Sequence, residues 1–268
     1  MTTSFLPVDV GIRLIGGPTA LIEIGGLRLL TDPTFDPPGD HPVGNRVLVK
    51  IRGPAVAVAD IGPVDAVLLS HDQHPDNLDD AGRRMLDTVP VVLTTGSAAS
   101  RLGGRTKALA PWRHVLLPRP AGGEPRVSGG ELRVTGVPAQ HGPDGTEAIT
   151  GEVTGFVLHG EGLPTVYVSG DNASLGVVLA VAEHLGPIDV ALLFAGAART
   201  PLLDAYLTLT SDQAARAARI LDARIVIPVH TEGWTHFTQG PETIAPAFAR
   251  HGASGQLRQL APGESTTT

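Results

Sequence analysis

The sequence contains no cysteine. This absence excludes disulfides, iron–sulfur clusters, thiolate zinc sites and cysteine nucleophiles, so any metal would be held by His, Asp, Glu or water. Aromatic residues are limited to six Phe, two Tyr and two Trp, which leaves little for a base-stacking platform. The net charge of −7 argues against nucleic-acid binding. No apolar run approaches the roughly 18 residues that a membrane span requires.

The composition that is present is that of a globular protein. The 268 residues are 42% hydrophobic and 18% charged, which is enough for a sizeable buried core, and we expect a single domain over residues 1–268. The opening MTTSFLPVDVG lacks a basic region followed by an apolar core, so no signal peptide is predicted and the cytoplasm is the default location.

Gly and Pro residues divide the chain into many short elements. A long Pro/Gly-rich loop is predicted over residues 33–63, with one short strand near Val47–Ile51. Turns are expected at Gly25-Gly26, Gly129-Gly130 and Gly160–Gly162. The predicted strands are Ile12–Ile15, Thr19–Ile24, Leu27–Thr31, Val64–Leu69, Val91–Thr94, Leu132–Val137, Gly155–His159, Thr165–Val168, Val190–Phe194 and Ile225–Val229. The predicted helices are Asn77–Val89, Ser97–Leu102, Leu175–Leu185, a segment from a Thr210 capping box to Leu221, and Glu242–His251. This order predicts a layered α/β protein.

Four predicted strands each end at side chains that can bind a metal. Because residues beyond the carboxyl ends of strands gather at one edge of a sheet, we expect these side chains to share a site. Imidazole and carboxylate together suit Zn²⁺, Fe²⁺ or Mn²⁺. The strand-end candidates are His71, His74 and Asp76 after Val64–Leu69, His141 after Leu132–Val137, Asp171 after Thr165–Val168, and His230 after Ile225–Val229.

A single histidine after a strand is more often an ordinary loop residue, and Asp171 alone could cap the helix that follows. The cluster between His71 and Asp76 is a poor structural filler, since two His and two Asp fall within six residues. The ordinary reading is kept for the remaining histidines, namely His41, His114, His159, His184 and His251.

These residues resemble the metallo-β-lactamase superfamily, and the resemblance covers nearly the whole chain. The family's first motif, H-x-H-x-D-H after a strand, reads HDQHPDN here, and the later motifs resemble "PAQHG", "YVSGDN" and "IPVH". The opening IGGPTALIEIGGLRLLTDP resembles the branch that contains ascorbate-6-phosphate lactonase and N-acylphosphatidylethanolamine phospholipase D. The resemblance implies an αββα sandwich of two mixed β-sheets, face to face, with helices on both outer faces.

The resemblance also implies a set of metal ligands. His71, His74 and His141 would hold one ion, Asp171 would bridge, and Asp76 and His230 would hold a second. The first motif departs from the family pattern, because one residue is inserted and the final His is Asn77. Two other alignments of this motif are possible. Anchored on His71, Gln73 could take the second position instead of His74; anchored on Asp76, the motif begins with Asp72 and continues with His74. With an amide in place of an imidazole, the second site should be looser or empty.

The function implied is that of a metal-dependent hydrolase that uses metal-bound hydroxide on an ester-like, lactone or phosphodiester substrate. Asp76 would orient the nucleophile and His236 would donate to an oxyanion or leaving group. Asp32 and Asp72 are candidates to orient ligand imidazoles. For Trp234 and Phe237 the sequence supports two hypotheses equally: they line the pocket, or they pack under the last helix. The stretch Asp36–Pro54 would cover the site, with Arg46 and Arg52 available to an anionic group.

Zn²⁺, as one or two ions, is the expected cofactor, with Mn²⁺ and Fe²⁺ as alternatives. The expected partner is a small-molecule substrate, with no nucleic acid and no membrane span; a homo-oligomer is left open. A second hypothesis is a non-catalytic, ligand-binding member of the fold with a degenerate metal site, and Asn77 and Gln73 favour it. A third, an iron-dependent redox member, is disfavoured because such members usually pair with a flavin domain.

Overall fold

The computed structural model describes residues 9–120 and 130–268. In chain order the strands are β1 Gly11–Gly16, β2 Thr19–Ile24, β3 Leu27–Thr31, β4 Gly39–Val43, β5 Arg46–Lys50, β6 Ala66–Leu68, β7 Val92–Thr94, β8 Thr106–Ala108, β9 His114–Pro118, β10 Glu131–Pro138, β11 Thr154–His159, β12 Val166–Val168, β13 Val190–Phe194, β14 Arg199–Thr200, β15 Leu203–Tyr206, β16 Ile225–Val229 and β17 Ser265–Thr267. The helices are α1 Val58–Ile61, α2 Asp80–Leu86, α3 Gly96–Leu102, α4 Glu147–Thr150, α5 Leu175–Leu185, α6 Ser211–Leu221 and α7 Pro241–Arg250.

Two large mixed sheets form the centre of the molecule. The first has seven strands in the order β17-β1-β2-β3-β6-β7-β8, and the second has six in the order β16-β13-β12-β11-β10-β9. Strands β3, β6, β7 and β8 run parallel, and so do β12, β13 and β16. Two small hairpins, β4-β5 and β14-β15, stand apart from both sheets.

Three apolar clusters show how the layers pack. The largest joins side chains of the two sheets, such as Leu29 and Leu68 from the first and Phe156 and Leu192 from the second. A second cluster packs α5, α6 and α7 on the outer face of the second sheet, and a third packs α1 and α2 on the outer face of the first. The αββα sandwich predicted from the sequence is therefore confirmed. Among the described residues, no helix has both the length and the apolar character that crossing a bilayer demands.

Local sequence signals account for several elements. Gly25 and Gly26 have φ values of 58° and 82°, the left-handed conformation that a tight two-residue hairpin needs between β2 and β3. The capping box at Thr210 and Gln213 opens α6 as predicted. Five elements have the predicted bounds, namely β2, β3, α5, β13 and β16.

Other predictions were less accurate. Helix α2 begins at Asp80 rather than at Asn77, because the side chain of Asp79 accepts a hydrogen bond from the Gly82 N–H and fixes the helix start. The long loop predicted over residues 33–63 contains the β4-β5 hairpin, whose turn uses Gly44 at φ 59°. Part of the turn predicted at Gly129-Gly130 lies outside the described residues.

Candidate metal centre

The six predicted ligands lie together at one edge of the sandwich. Beyond the end of β6 in the first sheet lie His71, His74 and Asp76, and beyond strands of the second sheet lie His141, Asp171 and His230. Their candidate ligand atoms form two groups of three, and within each group every atom lies within 4.8 Å of the others. The first group is His71, His74 and His141, and the second is Asp76, Asp171 and His230.

In the first group, three imidazole nitrogens face one another. His74 Nδ1 lies 2.9 Å from His71 Nε2 and 3.3 Å from His141 Nε2. The rings of His71 and His141 are also close, with centroids 5.2 Å apart. Each neutral imidazole carries one proton. Where the nitrogen that faces away from the group holds that proton, the nitrogen that faces the group has a lone pair and can bind a metal.

A chain of hydrogen bonds fixes the tautomer of His71. The backbone N–H and the hydroxyl of Ser70 donate to the two carboxylate oxygens of Asp32, at 2.5 and 2.7 Å. With its proton committed to Asp32, the Ser70 hydroxyl accepts a bond from His71 Nδ1, at 2.9 Å. His71 Nε2 is then left with a lone pair directed at the site, and Asp32 acts on the imidazole through Ser70.

The carbonyl of Leu207 does the same for His141. It accepts a hydrogen bond from His141 Nδ1 at 2.9 Å, so His141 Nε2 also presents a lone pair to the site. Burial and the neighbouring imidazoles lower the pKa of His71 well below its usual range, and burial and His141 lower the pKa of His74 to about 4. Both imidazoles are therefore neutral near pH 7, which is the form that binds metals.

In the second group, one imidazole faces two carboxylates. His230 Nε2 lies 3.3 Å from Asp76 Oδ2 and 3.4 Å from Asp171 Oδ1. Both nitrogens of His230 and the Oδ1 atom of Asp76 are buried without a hydrogen-bond partner among the described residues. The other carboxylate oxygen, Asp171 Oδ2, lies 3.6 Å from His141 Nε2, so Asp171 directs one oxygen toward each group.

The charges of the second group reinforce one another. Burial alone would raise the pKa of Asp76, but the facing imidazoles of His236 and His230 lower it well below its ordinary value. Burial would lower the pKa of His230, but Asp171 and Asp76 raise it. The backbone of His230 is held at φ 57°, a conformation that costs free energy outside glycine and that is concentrated at functional sites.

These observations fit a metal ion at each group. His71 Nε2 and His141 Nε2 both present lone pairs, and a single proton on His74 Nδ1 can satisfy only one of them, whereas a cation between the three nitrogens would bind all three. The buried atoms without partners on His230 and Asp76 need the same kind of compensation. Imidazole nitrogen with carboxylate oxygen is a donor set for a first-row transition metal.

Several other sequence predictions can be placed. Asp72 does not orient a ligand imidazole, because its carboxylate accepts bonds from Arg101 Nε at 3.0 and 3.1 Å. Trp234 is buried beside the Lys50 ammonium, and the ring of Phe237 packs edge-on to the ring of His230. His236 lies in the site, with its Nε2 atom 2.9 Å from Asp76 Oδ2.

A pocket opens onto both groups, and His74, His141, Asp76 and Asp171 line it. The predicted cover is present, since Val43, Arg46 and Leu48 of the β4-β5 hairpin line the pocket, whereas Arg52 pairs with Glu232 at 3.7 Å. Much of the remaining wall is apolar and was not anticipated, because it comes from segments without a motif: Ile149, Ala198 and Leu207. Ser70 was also missed, although its place between a strand and His71 is a usable signal.

Comparison with known proteins agrees with this geometry. A family model described as "Beta-lactamase superfamily domain" matches residues 27–231, and the chain therefore belongs to that superfamily. A metal-dependent hydrolase from Pyrococcus furiosus is 28% identical over 262 residues, which are 96% of this chain and 98% of the relative. Another, from Rubrobacter xylanophilus, is 30% identical over 246 residues, which are 90% of this chain and 88% of the relative.

Among solved structures, the isothiocyanate hydrolase from Delia radicum gut bacteria superposes with a TM-score of 0.79 at 19% identity, covering 96% of this chain and 98% of that one. This likeness supports the fold. Together with the curated relatives, it confirms the class predicted from the sequence, a metal-dependent hydrolase with the metallo-β-lactamase fold.

Proposed function

We propose that this protein hydrolyses an uncharged ester or lactone of small size, with a metal ion held at each ligand group. The observation that carries the proposal is the pocket, whose lining combines four of the candidate ligands with apolar side chains. An apolar wall contributes binding free energy to a substrate with an aliphatic or aromatic group and gives little to a multiply charged one.

The proposed ligands are the residues predicted from the sequence. His71, His74 and His141 would hold one ion, Asp76 and His230 would hold the other, and Asp171 would bridge. Three imidazoles favour Zn²⁺, and Mn²⁺ or Fe²⁺ are the alternatives for the carboxylate-rich group. When bound, such ions polarise a carbonyl or phosphoryl oxygen and lower the pKa of coordinated water.

The side chains of the protein would orient the attacking water and exclude bulk water from the substrate. Asp76 is ionised, because its pKa is lowered, and its Oδ1 atom is buried without a partner among the described residues, so this oxygen can accept a hydrogen bond from water and orient that water toward a substrate. Leu48 and Ile149 would hold the apolar part of the substrate and keep bulk water from it.

Two arginines in the pocket favour a phosphodiester as the second candidate substrate. Arg46 Nη1 donates to Thr200 Oγ1 at 2.6 Å, and Arg199 pairs with Asp204 at 2.5 Å and packs over the ring of Tyr206. Because both guanidinium groups already have partners, we rank the ester or lactone first.

The test is a substrate panel on protein stripped with a chelator and reloaded with Zn²⁺, Mn²⁺ or Fe²⁺. The panel contains aliphatic lactones, p-nitrophenyl esters and bis-p-nitrophenyl phosphate. We expect metal-dependent turnover of a lactone or ester, its loss in His71→Ala and His141→Ala, and its retention in His184→Ala, which changes an exposed histidine on α5. Faster turnover of the phosphodiester would reverse the ranking. Tight metal binding without turnover of any class would instead support the non-catalytic reading.

A further inference from the structure

Asn77 occupies the place of the family's final motif histidine, and its amide nitrogen binds carboxylates instead of serving as a ligand. Asn77 Nδ2 donates to Asp171 Oδ1 at 3.2 Å and to Asp32 Oδ2 at 3.1 Å. Two carboxylate acceptors fix the orientation of the amide, since an amide oxygen in that place would repel both. The nitrogen of an amide carries no available lone pair, so Asn77 orients Asp171 and leaves the second ligand group one imidazole short.

His236 contacts Asp76, one member of the second group. Its Nε2 atom lies 2.9 Å from Asp76 Oδ2, and that oxygen lies 3.3 Å from His230 Nε2. His236 also lines the pocket. The two histidines come from one loop, since His230 directly follows β16 and His236 is six positions further along the chain.

The backbone around His236 is held in place on both sides. The carbonyl of His236 accepts a hydrogen bond from Arg199 N at 3.1 Å, and the N–H of Thr235 donates to the carbonyl of Val49 at 3.1 Å. These bonds tie the loop to both small hairpins. A ligand built on such a fixed segment is positioned before the metal arrives.

The alternative role, direct proton donation to a leaving group, fits the contacts less well. His236 Nδ1 is buried and has no partner among the described residues, so it is not open to a substrate. His236 Nε2 is already directed at Asp76. His236 Nε2 therefore faces a candidate metal ligand and His236 Nδ1 is buried, which favours a metal-facing role over proton donation to a leaving group.

We propose that His236 is a ligand of the second metal position, together with Asp76, Asp171 and His230, and that Asn77 is a positioning residue for Asp171. The proposal rests on the metal sites of the proposed function and departs from the sequence-based role of His236. It gives the second position two imidazoles and two carboxylates, so that position binds its ion tightly instead of loosely.

The test measures metal content and does not depend on turnover. Wild-type protein, His236→Ala and the control His184→Ala are stripped, loaded with Co²⁺ or Zn²⁺, and freed of excess metal by gel filtration. We expect about two ions per chain in the wild type and the control, and about one in His236→Ala. In the Co²⁺ form, the visible absorption of one of the two ions should disappear from His236→Ala.

Asn77→Ala is the matched comparison. Losing a group that only orients a ligand typically weakens metal binding about 10–100-fold, so this variant should still load both ions at saturating metal. Unfolding of each metal-free variant, followed by circular dichroism, shows whether it is folded. If Asn77→Ala proves unfolded, Asn77→Ser replaces it.

Two ions of unchanged affinity in His236→Ala would overturn the proposal, whatever happens to activity. Loss of turnover with both ions retained would support proton transfer by His236 instead. Failure of the proposed substrate class leaves the metal count unaffected, so the two proposals can fail separately.

Discussion

Asp32 and Ser70 are joined by two hydrogen bonds at the point where β3 and β6 end side by side, and through Ser70 the carboxylate reaches the imidazole of His71. Burial raises the pKa of Asp32 to about 7, although the bonds from Ser70 and Asn77 oppose the increase. This pairing places a group that is costly to bury directly behind a candidate metal ligand.

Asp32→Asn should therefore weaken metal binding. An amide accepts at only one of the two places where Ser70 donates, so the tautomer of His71 is no longer fixed, and we expect a loss of affinity of about 10–100-fold. Competition with a chromophoric chelator measures it. The control is Asp65→Asn, because Asp65 also binds a backbone N–H, that of Arg28, but lies at the opposite end of β6. Wild-type affinity in Asp32→Asn would show that the Ser70 link does not orient His71.

In the metal-free protein, the contribution of His74 to stability should decrease as the pH falls. Its pKa is about 4 in the folded chain against an ordinary value of 6.5. Between these values the unfolded chain binds a proton that the folded chain does not, so the free energy of unfolding decreases as the pH falls from about 6.5 to about 4. The stabilising contribution is complete above that window.

The His74→Gln variant isolates this contribution. Across the window, the wild type should lose more free energy of unfolding than the variant, with a difference on the order of 3 kcal/mol. Asp32 titrates in the opposite direction, but it is present in both proteins and cancels. Urea titrations at several pH values, with chelator present, measure the difference. Parallel pH curves for the two proteins would contradict the prediction.

Lys50 should matter more for stability than the other lysine. Its ammonium is buried and lies 2.9 Å from Asp79 Oδ2, and it also faces the ring of Trp234 at 5.5 Å. Lys50→Met leaves the Asp79 carboxylate buried without its counter-charge, which costs about 3 kcal/mol. Lys107→Met, at an exposed position on β8, should change stability by less than about 0.5 kcal/mol. Urea unfolding compares them, and equal midpoints for both variants would refute the assignment.

The two faces of β5 should differ in their effect on substrate. Leu48 lines the pocket, whereas the neighbouring Val47 is 52% exposed and is not part of the pocket wall. A buried carboxylate disfavours an apolar substrate, so Leu48→Asp should raise KM for an apolar ester about tenfold or more. Val47→Asp should leave KM unchanged. Steady-state kinetics on the best substrate of the panel measure both, and a similar KM in the two variants would argue against binding along this wall.

Much of the fold and of the candidate metal centre could be predicted from the sequence. The strand Val190–Phe194 is a continuous apolar run, which is the pattern of a strand covered on both faces. Its bounds were predicted correctly. The strand-end rule brought His71, His141, Asp171 and His230 together, because their strands end at the same edge of the sandwich. The β4-β5 hairpin was only half recognised, since one of its strands has a mixed, partly exposed pattern with a proline.

By itself, the sequence determined the elements, their layering and the candidate ligands at the strand ends, because apolar periodicity and residue order are local properties. Only the tertiary structure decided that the carbonyl of Leu207 sets the tautomer of His141, that Asn77 turns its amide to Asp171, and that His236 meets Asp76 across 160 positions of the chain. Contacts between distant segments depend on how both sheets and both hairpins pack, and no local pattern of residues records that packing.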